Sequence, residues 1–220
     1  MKNQEIIAKT VSFVQKTLKG AEGGHDWFHT HRVFLNSRQI AQGEDSDDLI
    51  VSLGALLHDI ADAKFHDGDE TVGPKVATEF LESIKVEQEV IEHVIHIINN
   101  ISFKNSLSDN GLKKFDSIEL QIVQDADRLD AIGAIGIARA FNYGGFKNRE
   151  LYNPNIEPNL NMSKEEYKKS ATPTINHFYE KLLLLKDKMN TPTGKKMAEE
   201  RHEYMLKFLD RFYKEWNGKS

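Results

Sequence analysis

A histidine and two carboxylates stand at the end of an apolar stretch of the sequence. Residues 51–62 read VSLGALLHDIAD, in which His58 and Asp59 are adjacent and Asp62 follows one helical turn later. Imidazole nitrogen and carboxylate oxygen together suit a divalent ion such as Mn²⁺, Fe²⁺, Zn²⁺ or Mg²⁺. Adjacent helical side chains point about 100° apart, so His58 and Asp59 can bind the same ion only if that ion lies beside the helix. Because such a pair is common by chance, a metal site requires further ligands elsewhere in the chain.

A histidine-rich segment, GGHDWFHTHRV, precedes this stretch. With helical spacing, His29 lies in line with Val33 on the inward, apolar stripe. His31 instead lines up with Leu35 and Arg38, on a more mixed face. We therefore predict that His29 is a metal ligand and that His31 is a surface residue. The alternative for His29 is a core imidazole with a structural hydrogen bond.

A third segment, VQDADRLDAIGAIGIARA, places three acids within six residues of an otherwise apolar and small-residue helix. Burying a carboxylate is costly unless it is paired or bound to a metal. Asp125 and Asp127 face nearly opposite directions on a helix, so at most one of them is a ligand, whereas Asp130 shares a face with Asp127. In the alternative interpretation, these acids only form ion pairs with Arg128 and Arg139.

The elements that must position these residues are helices, because the helical period recurs almost throughout the chain and no strand-hairpin pattern is evident. We predict one all-α domain over residues 1–220, with a metal-site core at about 20–150 and C-terminal helices at about 163–217 packing on it. Asp26 and Asp47 are the predicted N-caps of the second and third helices. The predicted helices cover 3–18, 26–42, 47–61, 70–83, 86–99, 117–141, 164–189 and 195–216. A segment without regular secondary structure is predicted over residues 142–159.

Composition and charge narrow the class of protein. The 220 residues include 29 basic and 34 acidic side chains, a net charge of −5, which argues against nucleic acid as the main partner. The absence of cysteine excludes disulfides, thiolate metal sites and cysteine nucleophiles. No apolar run approaches the roughly 18 residues of a membrane span, and the N-terminus lacks a signal-peptide core. We therefore expect a cytoplasmic protein with no membrane partner.

The ordered series of His29, the His58-Asp59 doublet and a distal aspartate in DADRLD resembles the HD superfamily of metal-dependent phosphohydrolases. The strings GHDWFHTHRV, LLHDIADAKF, ISFK and DADRLDAIGAIGIAR resemble one bacterial branch of HD-domain hydrolases. The motifs cover roughly residues 20–150. The resemblance implies an all-α, single-domain HD-type helical bundle with a metal between these side chains.

Carried over position by position, the resemblance implies that His29, His58, Asp59 and Asp127 bind one divalent ion, which could be Mn, Mg, Fe, Co or Zn. The distal aspartate of the family usually follows an alanine and precedes a polar residue, which favours Asp127 over Asp125. Members with two metals supply additional histidines between the doublet and the last aspartate. Three histidines lie in that interval here, and each could equally be a partly exposed helix residue: His66, His93 and His96.

The resemblance implies hydrolysis of a phosphate ester or phosphoanhydride, with a nucleotide as the favoured substrate, including cleavage of a nucleoside triphosphate to the monophosphate and pyrophosphate. Asp62, one turn beyond Asp59, is placed to accept the proton of a metal-activated water. Phosphate oxygens also need cations or amide donors. The candidate cations adjoin motif residues, although each could be a solvated side chain: Arg32, Lys64, Lys104 and Arg128.

Other functions and features stay open at this point. The fold could instead serve a di-iron oxidase, a cyclic-nucleotide phosphodiesterase, or a non-catalytic metal-binding nucleotide sensor. The expected partner is a small phosphorylated substrate, and the chain could be a monomer or a homodimer. Residues 143–145, Tyr-Gly-Gly, could form a mobile flap or an ordinary turn. The apolar stretch KLLLLKDKM could be core or a dimer seam.

Overall fold

All regular structure in the described part of the chain is helical. The computed structural model describes residues 2–20, 26–61, 69, 71–101, 115–161 and 171–219, and these contain nine α-helices and two short 3₁₀ turns. The chain divides into two compact units, residues 1–127 and 128–220. None of the described helices is long and apolar enough to cross a membrane.

The first unit is built around one almost completely buried helix, α3. The helices of this unit, with the last one ending just beyond it, are α1 (Asn3–Thr17), α2 (Trp27–Ala41), α3 (Asp48–Leu57), α4 (Val72–Ser83), α5 (Gln88–Asn100) and α6 (Ile118–Asp130). Helix α3 packs against α1, α2 and α5. Gly54 allows α3 to pack closely against Ile97 and Val123, since a Cβ atom at Gly54 would lie 3.0 Å from the side chain of Ile97 and 3.5 Å from that of Val123. A helix that is apolar on all sides must be buried on all sides, which is why α3 forms the centre of this unit.

The predicted N-caps of α2 and α3 are confirmed. Oδ1 of Asp26 accepts a hydrogen bond from the main-chain N–H of His29, at 2.9 Å. Oδ1 of Asp47 accepts from the N–H groups of Leu49 and Ile50, at 2.8 and 3.0 Å. These bonds satisfy main-chain donors that have no partner within a helix. They therefore set where the two helices begin, and α2 begins just before His29.

The single helix predicted over 117–141 is wrong, because the chain turns between two helices. Helix α6 ends at Asp130, and α7 (Gly133–Phe146) begins after an extended residue, Ile132. Gly133 has a φ of +73°, a conformation that glycine adopts at no steric cost and other residues avoid. The small residues around the break are equally consistent with a stripe of small residues along one continuous helix. The sequence pattern therefore did not indicate the break. Helix α7 also continues to Phe146, so the start of the irregular segment predicted at 142 is wrong, and the Tyr-Gly-Gly triplet is helical.

In the second unit, α7 packs against a short helix, α8 (Thr174–Glu180), and a long final helix, α9 (Pro192–Trp216). The α-helix predicted over 164–189 is wrong in its described part, 171–189. Only α8 (Thr174–Glu180) is α-helical there, and 3₁₀ turns follow at Leu182–Leu184 and Lys186–Lys188. Residues 164–170 lie outside the described part of the chain. The physical cause at the end of α8 is Lys181, whose φ of −145° leaves the helical region.

The final helix, α9 (Pro192–Trp216), begins three residues before the predicted start at 195. Pro192 occupies the first turn, where a missing N–H has no consequence, and Oγ1 of Thr191 accepts from the N–H of Gly194 at 3.0 Å. The core of this unit centres on the fully buried Phe178, whose ring lies 5.9 Å from those of Phe141 and Phe208. Aromatic rings at such separations pack favourably.

Candidate metal centre

Three segments that are distant in sequence bring their histidine and aspartate side chains together in the first unit. His29 lies in the first turn of α2, His58 and Asp59 follow the last residue of α3, and Asp127 lies in the last turn of α6. The packing of α2 on α3 brings the first two of these helix ends together. The centre is therefore formed where one helix begins and two others end.

The distances match the spacing of ligands around one ion. Nε2 of His29 lies 3.7 Å from Oδ2 of Asp59 and 3.5 Å from Oδ1 of Asp127, and Nε2 of His58 lies 3.7 Å from the same Asp59 oxygen. The ligand atoms of His29, His58 and Asp59 all lie within 4.8 Å of one another. Two atoms that are each about 2.1 Å from a shared ion stand about 3–4 Å apart. His29, His58 and Asp59 therefore fit a divalent metal ion, whereas Asp127 approaches His29 but does not belong to this group.

A hydrogen bond fixes which nitrogen of the His58 ring faces the centre. Nδ1 of His58 lies 2.8 Å from the carbonyl oxygen of Ala55, and because a carbonyl can only accept, Nδ1 must carry the proton. The lone pair of the neutral ring is then on Nε2, which is buried and has no hydrogen-bond partner in the described structure. A buried polar atom without a partner is unusual in a native protein. An ion at the centre would supply the missing partner, and a hydrogen bond on the other ring nitrogen is the usual way such a ligand is oriented.

The four side chains differ in their contact with solvent. His29 and His58 are buried, with 3% and 6% of their surfaces exposed. The side chain of Asp59 is 20% exposed and that of Asp127 is 44% exposed. The imidazoles therefore form the inner part of the centre, and the carboxylates face the side from which water or a substrate can enter. Asp125 is fully buried, in contrast to Asp127 two residues later.

The comparisons with known proteins identify the family. The sequence model of the HD domain matches residues 27–132, a range that contains all four side chains of the centre. The uncharacterized protein YpgQ of Bacillus subtilis is 40% identical, with 99% of this chain and 97% of that protein aligned. This chain belongs to the HD superfamily.

Solved structures of HD-superfamily proteins extend the likeness to nearly the whole chain. A crystal structure of an HD-superfamily hydrolase from Bacillus thuringiensis is 44% identical, with a TM-score of 0.79 and coverage of 98% of this chain and 99% of that one. The crystal structure of B. subtilis YpgQ in complex with ADP is 35% identical in the structural alignment, with a TM-score of 0.74 and coverage of 98% and 97%. The predicted fold class, an all-α, single-domain HD-type helical bundle, is confirmed. The predicted division into a core and packed C-terminal helices stays a prediction.

Three other described histidines of this HD protein contact neighbouring side chains. The ring of His31 is partly exposed and lies 5.1 Å from that of Trp27. Nε2 of His93 lies 2.9 Å from Oγ of Ser117, and the ring of His96 stacks on Phe115 at 4.6 Å. Among the described residues, His29, His58 and Asp59 form the only group of three or more His, Asp and Glu side chains close enough to share an ion. His66 lies outside the described residues.

The predicted phosphate-binding and proton-accepting residues are only partly within the described structure. Arg32 in α2 and Arg128 in α6 are partly exposed, each within three residues of a side chain of the centre. Asp62, Lys64 and Lys104 lie outside the described part of the chain. Their roles stay predictions.

Sequence reasoning missed one participant, the carbonyl group of Ala55. The last four carbonyl groups of a helix have no partner within it, and Ala55 lies within that last turn of α3. A histidine placed directly after a helix, three residues beyond such a carbonyl, can donate to it. The three-residue spacing is visible in the sequence, but it indicates this bond only if the helix ends just before His58. The helix end was predicted at about 61 and lies at Leu57.

Proposed function

We propose that this protein is a metal-dependent phosphohydrolase that cleaves a phosphate ester or phosphoanhydride of a nucleotide. The observation that carries the proposal is the buried Nε2 of His58, which presents a lone pair toward Asp59 and has no hydrogen-bond partner in the described residues. Membership of the HD superfamily and the likeness to an HD-superfamily hydrolase support the same reaction class.

The proposed ligands are two neutral imidazoles and two carboxylates: His29, His58, Asp59 and Asp127. A divalent ion held by them would polarise a phosphoryl oxygen and lower the pKa of a bound water. The two carboxylates carry a charge of −2, which the ion balances, so the negative charge of a phosphate substrate needs further cations. Arg32 and Arg128 are the proposed partners within the described chain, because guanidinium groups bind phosphate oxygens through two parallel hydrogen bonds.

The remaining roles rest on the sequence. Asp62 would accept the proton of the attacking water at a carboxylate oxygen, and Lys64 and Lys104 would bind phosphate oxygens. A nucleotide is the proposed substrate because the similar protein YpgQ has been crystallised with ADP. Within that class we propose a nucleoside triphosphate, cleaved to the monophosphate and pyrophosphate.

The test is a product screen with metal-stripped protein, to which Mn²⁺, Mg²⁺ or Co²⁺ is returned. Nucleoside mono-, di- and triphosphates, cyclic nucleotides and sugar phosphates are incubated separately, and released phosphate and pyrophosphate are measured. We expect turnover that requires the metal and falls by at least about 100-fold in Asp59→Ala, because loss of a ligand disrupts the ion more than loss of an outer partner. Asp45→Ala is the matched control, since Asp45 is an exposed aspartate in the segment between α2 and α3.

The products separate the proposal from its alternatives. Release of pyrophosphate and a monophosphate from a triphosphate would support cleavage at the proposed bond. Release of phosphate alone would indicate cleavage at the terminal phosphoanhydride bond or at an ester bond instead. Cleavage confined to cyclic nucleotides would identify a phosphodiesterase instead. Bound metal without turnover of any phosphate compound would contradict the hydrolase. Two bound irons with oxygen consumption would then indicate an oxidase.

A further inference from the structure

Another buried carboxylate, Asp130, lies at the end of the helix that carries Asp127. Asp130 is 1% exposed, and its Oδ2 pairs with Nη1 of Arg139, which is in α7 beyond the break. The same Nη1 lies 3.5 Å from the carbonyl oxygen of Asp130. A buried carboxylate is stable only with such a partner, so this pair ties the end of α6 to α7 across the break.

Arg201 of α9 binds the same turn through the main chain. Its Nη1 donates to the carbonyl oxygen of Leu129 at 2.5 Å. The stem of Arg201 passes close to Gly133, where a Cβ atom would lie 3.0 Å from the Cγ atom of the arginine. Burial lowers the pKa of Arg201, and the nearby Asp130 acts in the opposite direction. Asp130 is therefore a negative charge that stabilises the partly buried guanidinium of Arg201 at this helix end.

These contacts act where a helix is least constrained by itself. The last four carbonyl groups of a helix have no partners within it, so the final turn frays unless other groups bind them. In α6, the carbonyl groups of Leu129 and Asp130 both lie close to arginine side chains. Asp127 precedes Asp130 by one helical turn in the same helix. An ion site requires its ligands to be held within a fraction of an ångström, which a fraying turn cannot provide.

We infer that Asp130, Arg139 and Arg201, here termed the α6 clamp, hold the last turn of α6 and thereby position Asp127 as a metal ligand. Asp130 is a positioning residue in this scheme, since it acts through the helix and not on the ion. The inference rests on the proposed function only in taking Asp127 as a ligand. It assigns a role to the third acid of the DADRLD segment, which the proposed chemistry does not use.

The first experiment measures Mn²⁺ affinity by calorimetry on the metal-stripped full chain. Asp130→Asn keeps the shape of the side chain and removes its charge. We expect the Kd for Mn²⁺ to rise by about tenfold, as is typical when a partner that orients a ligand is lost. Asp116→Asn is the matched control, because Asp116 is an exposed aspartate just before α6 whose Oδ1 accepts only from Gln121 in the described contacts. Asp130→Asn with wild-type affinity would overturn the inference.

A second experiment separates positioning from a general loss of stability. In the Asp127→Ala background, a clamp that acts through Asp127 has no ligand to position, so adding Asp130→Asn should leave the remaining Mn²⁺ affinity unchanged. The same tenfold loss in both backgrounds would overturn the inference. If circular dichroism shows that Asp130→Asn does not fold, Arg139→Lys replaces it, because lysine keeps the charge but cannot reproduce the contacts of Nη1 with both the carboxylate and the carbonyl oxygen of Asp130. A weaker Mn²⁺ affinity is expected for that variant, and wild-type affinity would again overturn the inference.

Failure of the inference and failure of the proposed function give different results. A wild-type protein that binds no Mn²⁺ would overturn both. Wild-type binding with unchanged affinity in the clamp variants would overturn the clamp alone. Weakened binding in those variants, in a protein that hydrolyses no phosphate compound, would support the clamp and contradict the hydrolase.

Discussion

At the scale of single residues, the centre depends on which nitrogen of each imidazole is available. The bond from Nδ1 of His58 to the carbonyl oxygen of Ala55 leaves Nε2 as the acceptor, directed to the same Asp59 oxygen that faces His29. Nε2 is therefore the atom of His58 that can bind an ion at the centre, beside the Asp59 carboxylate.

The two histidines of the segment His29-Thr30-His31 provide the sharpest test of the ligand assignment. We expect His29→Ala to weaken Mn²⁺ affinity by more than about 100-fold, because a direct ligand contributes more than the outer partners whose loss costs about 10–100-fold. His31→Ala should leave the affinity within about twofold of wild type, since the His31 ring is partly exposed and contacts Trp27. Calorimetric titration of both metal-stripped variants measures this.

The reverse result would show that the face assignment of α2 is wrong. If His31→Ala lost the metal and His29→Ala kept it, the ligand would come from the opposite side of the helix. Far-UV circular dichroism of both variants controls for unfolding.

At the scale of elements, two neighbouring glycines in α7 have different roles. A Cβ atom on Gly144 would collide with the side chain of Thr174, the first residue of α8, whereas one on Gly145 would meet nothing within 4 Å. Gly144 therefore allows α7 and α8 to approach closely, and Gly145 is exposed on the helix surface. The two positions share a sequence environment and differ only in what faces them.

We expect opposite effects on the free energy of unfolding when each glycine is replaced by alanine. Gly144→Ala should lower it by about 1–3 kcal/mol, the usual cost of forcing an extra group into a packed contact. Gly145→Ala should raise it by up to about 1 kcal/mol, because alanine loses less backbone freedom in a helix than glycine does. Urea unfolding followed by circular dichroism measures both values. Equal effects at the two positions would argue that α7 and α8 do not pack as described.

At the scale of the whole molecule, metal binding and folding are linked. The proposed ligands come from α2, from the end of α3 and from α6, so they converge only in the folded chain. A ligand that binds the folded and not the unfolded state raises the free energy of unfolding with its concentration. The metal is therefore expected to stabilise the protein as well as to serve its chemistry.

We expect Mn²⁺ at 100 times its Kd to raise the free energy of unfolding by about 2.7 kcal/mol. EDTA should reverse the effect, and Asp59→Ala should show none of it. Asp45→Ala, which alters an exposed aspartate away from the centre, should retain the full increase. Thermal unfolding with and without Mn²⁺ measures the shift in Tm. An equal shift in Asp59→Ala would place the stabilising ion elsewhere.

The helical class and the candidate residues of the centre could be predicted from local patterns in the sequence. Local periodicity and capping chemistry act within a few residues, so Asp26 and Asp47 could be identified as caps and α3 as a buried helix. The face argument for α2 depends only on helical geometry, and it separated His29, which is buried, from His31, which is partly exposed. The assignment of ligands among these residues stays a prediction.

The ends of α3, α6 and α8, and the groups that meet at those ends, were established by the tertiary structure. The break before Gly133 depends on one left-handed backbone conformation, which the small-residue pattern around it does not distinguish from a helical stripe. The contact of Arg201 with the carbonyl of Leu129 spans 72 residues of sequence. Such contacts form because packing brings distant elements together, and no local pattern encodes them. The orienting bond from His58 to Ala55 is local, yet it follows from the end of α3 at Leu57, which the tertiary structure established.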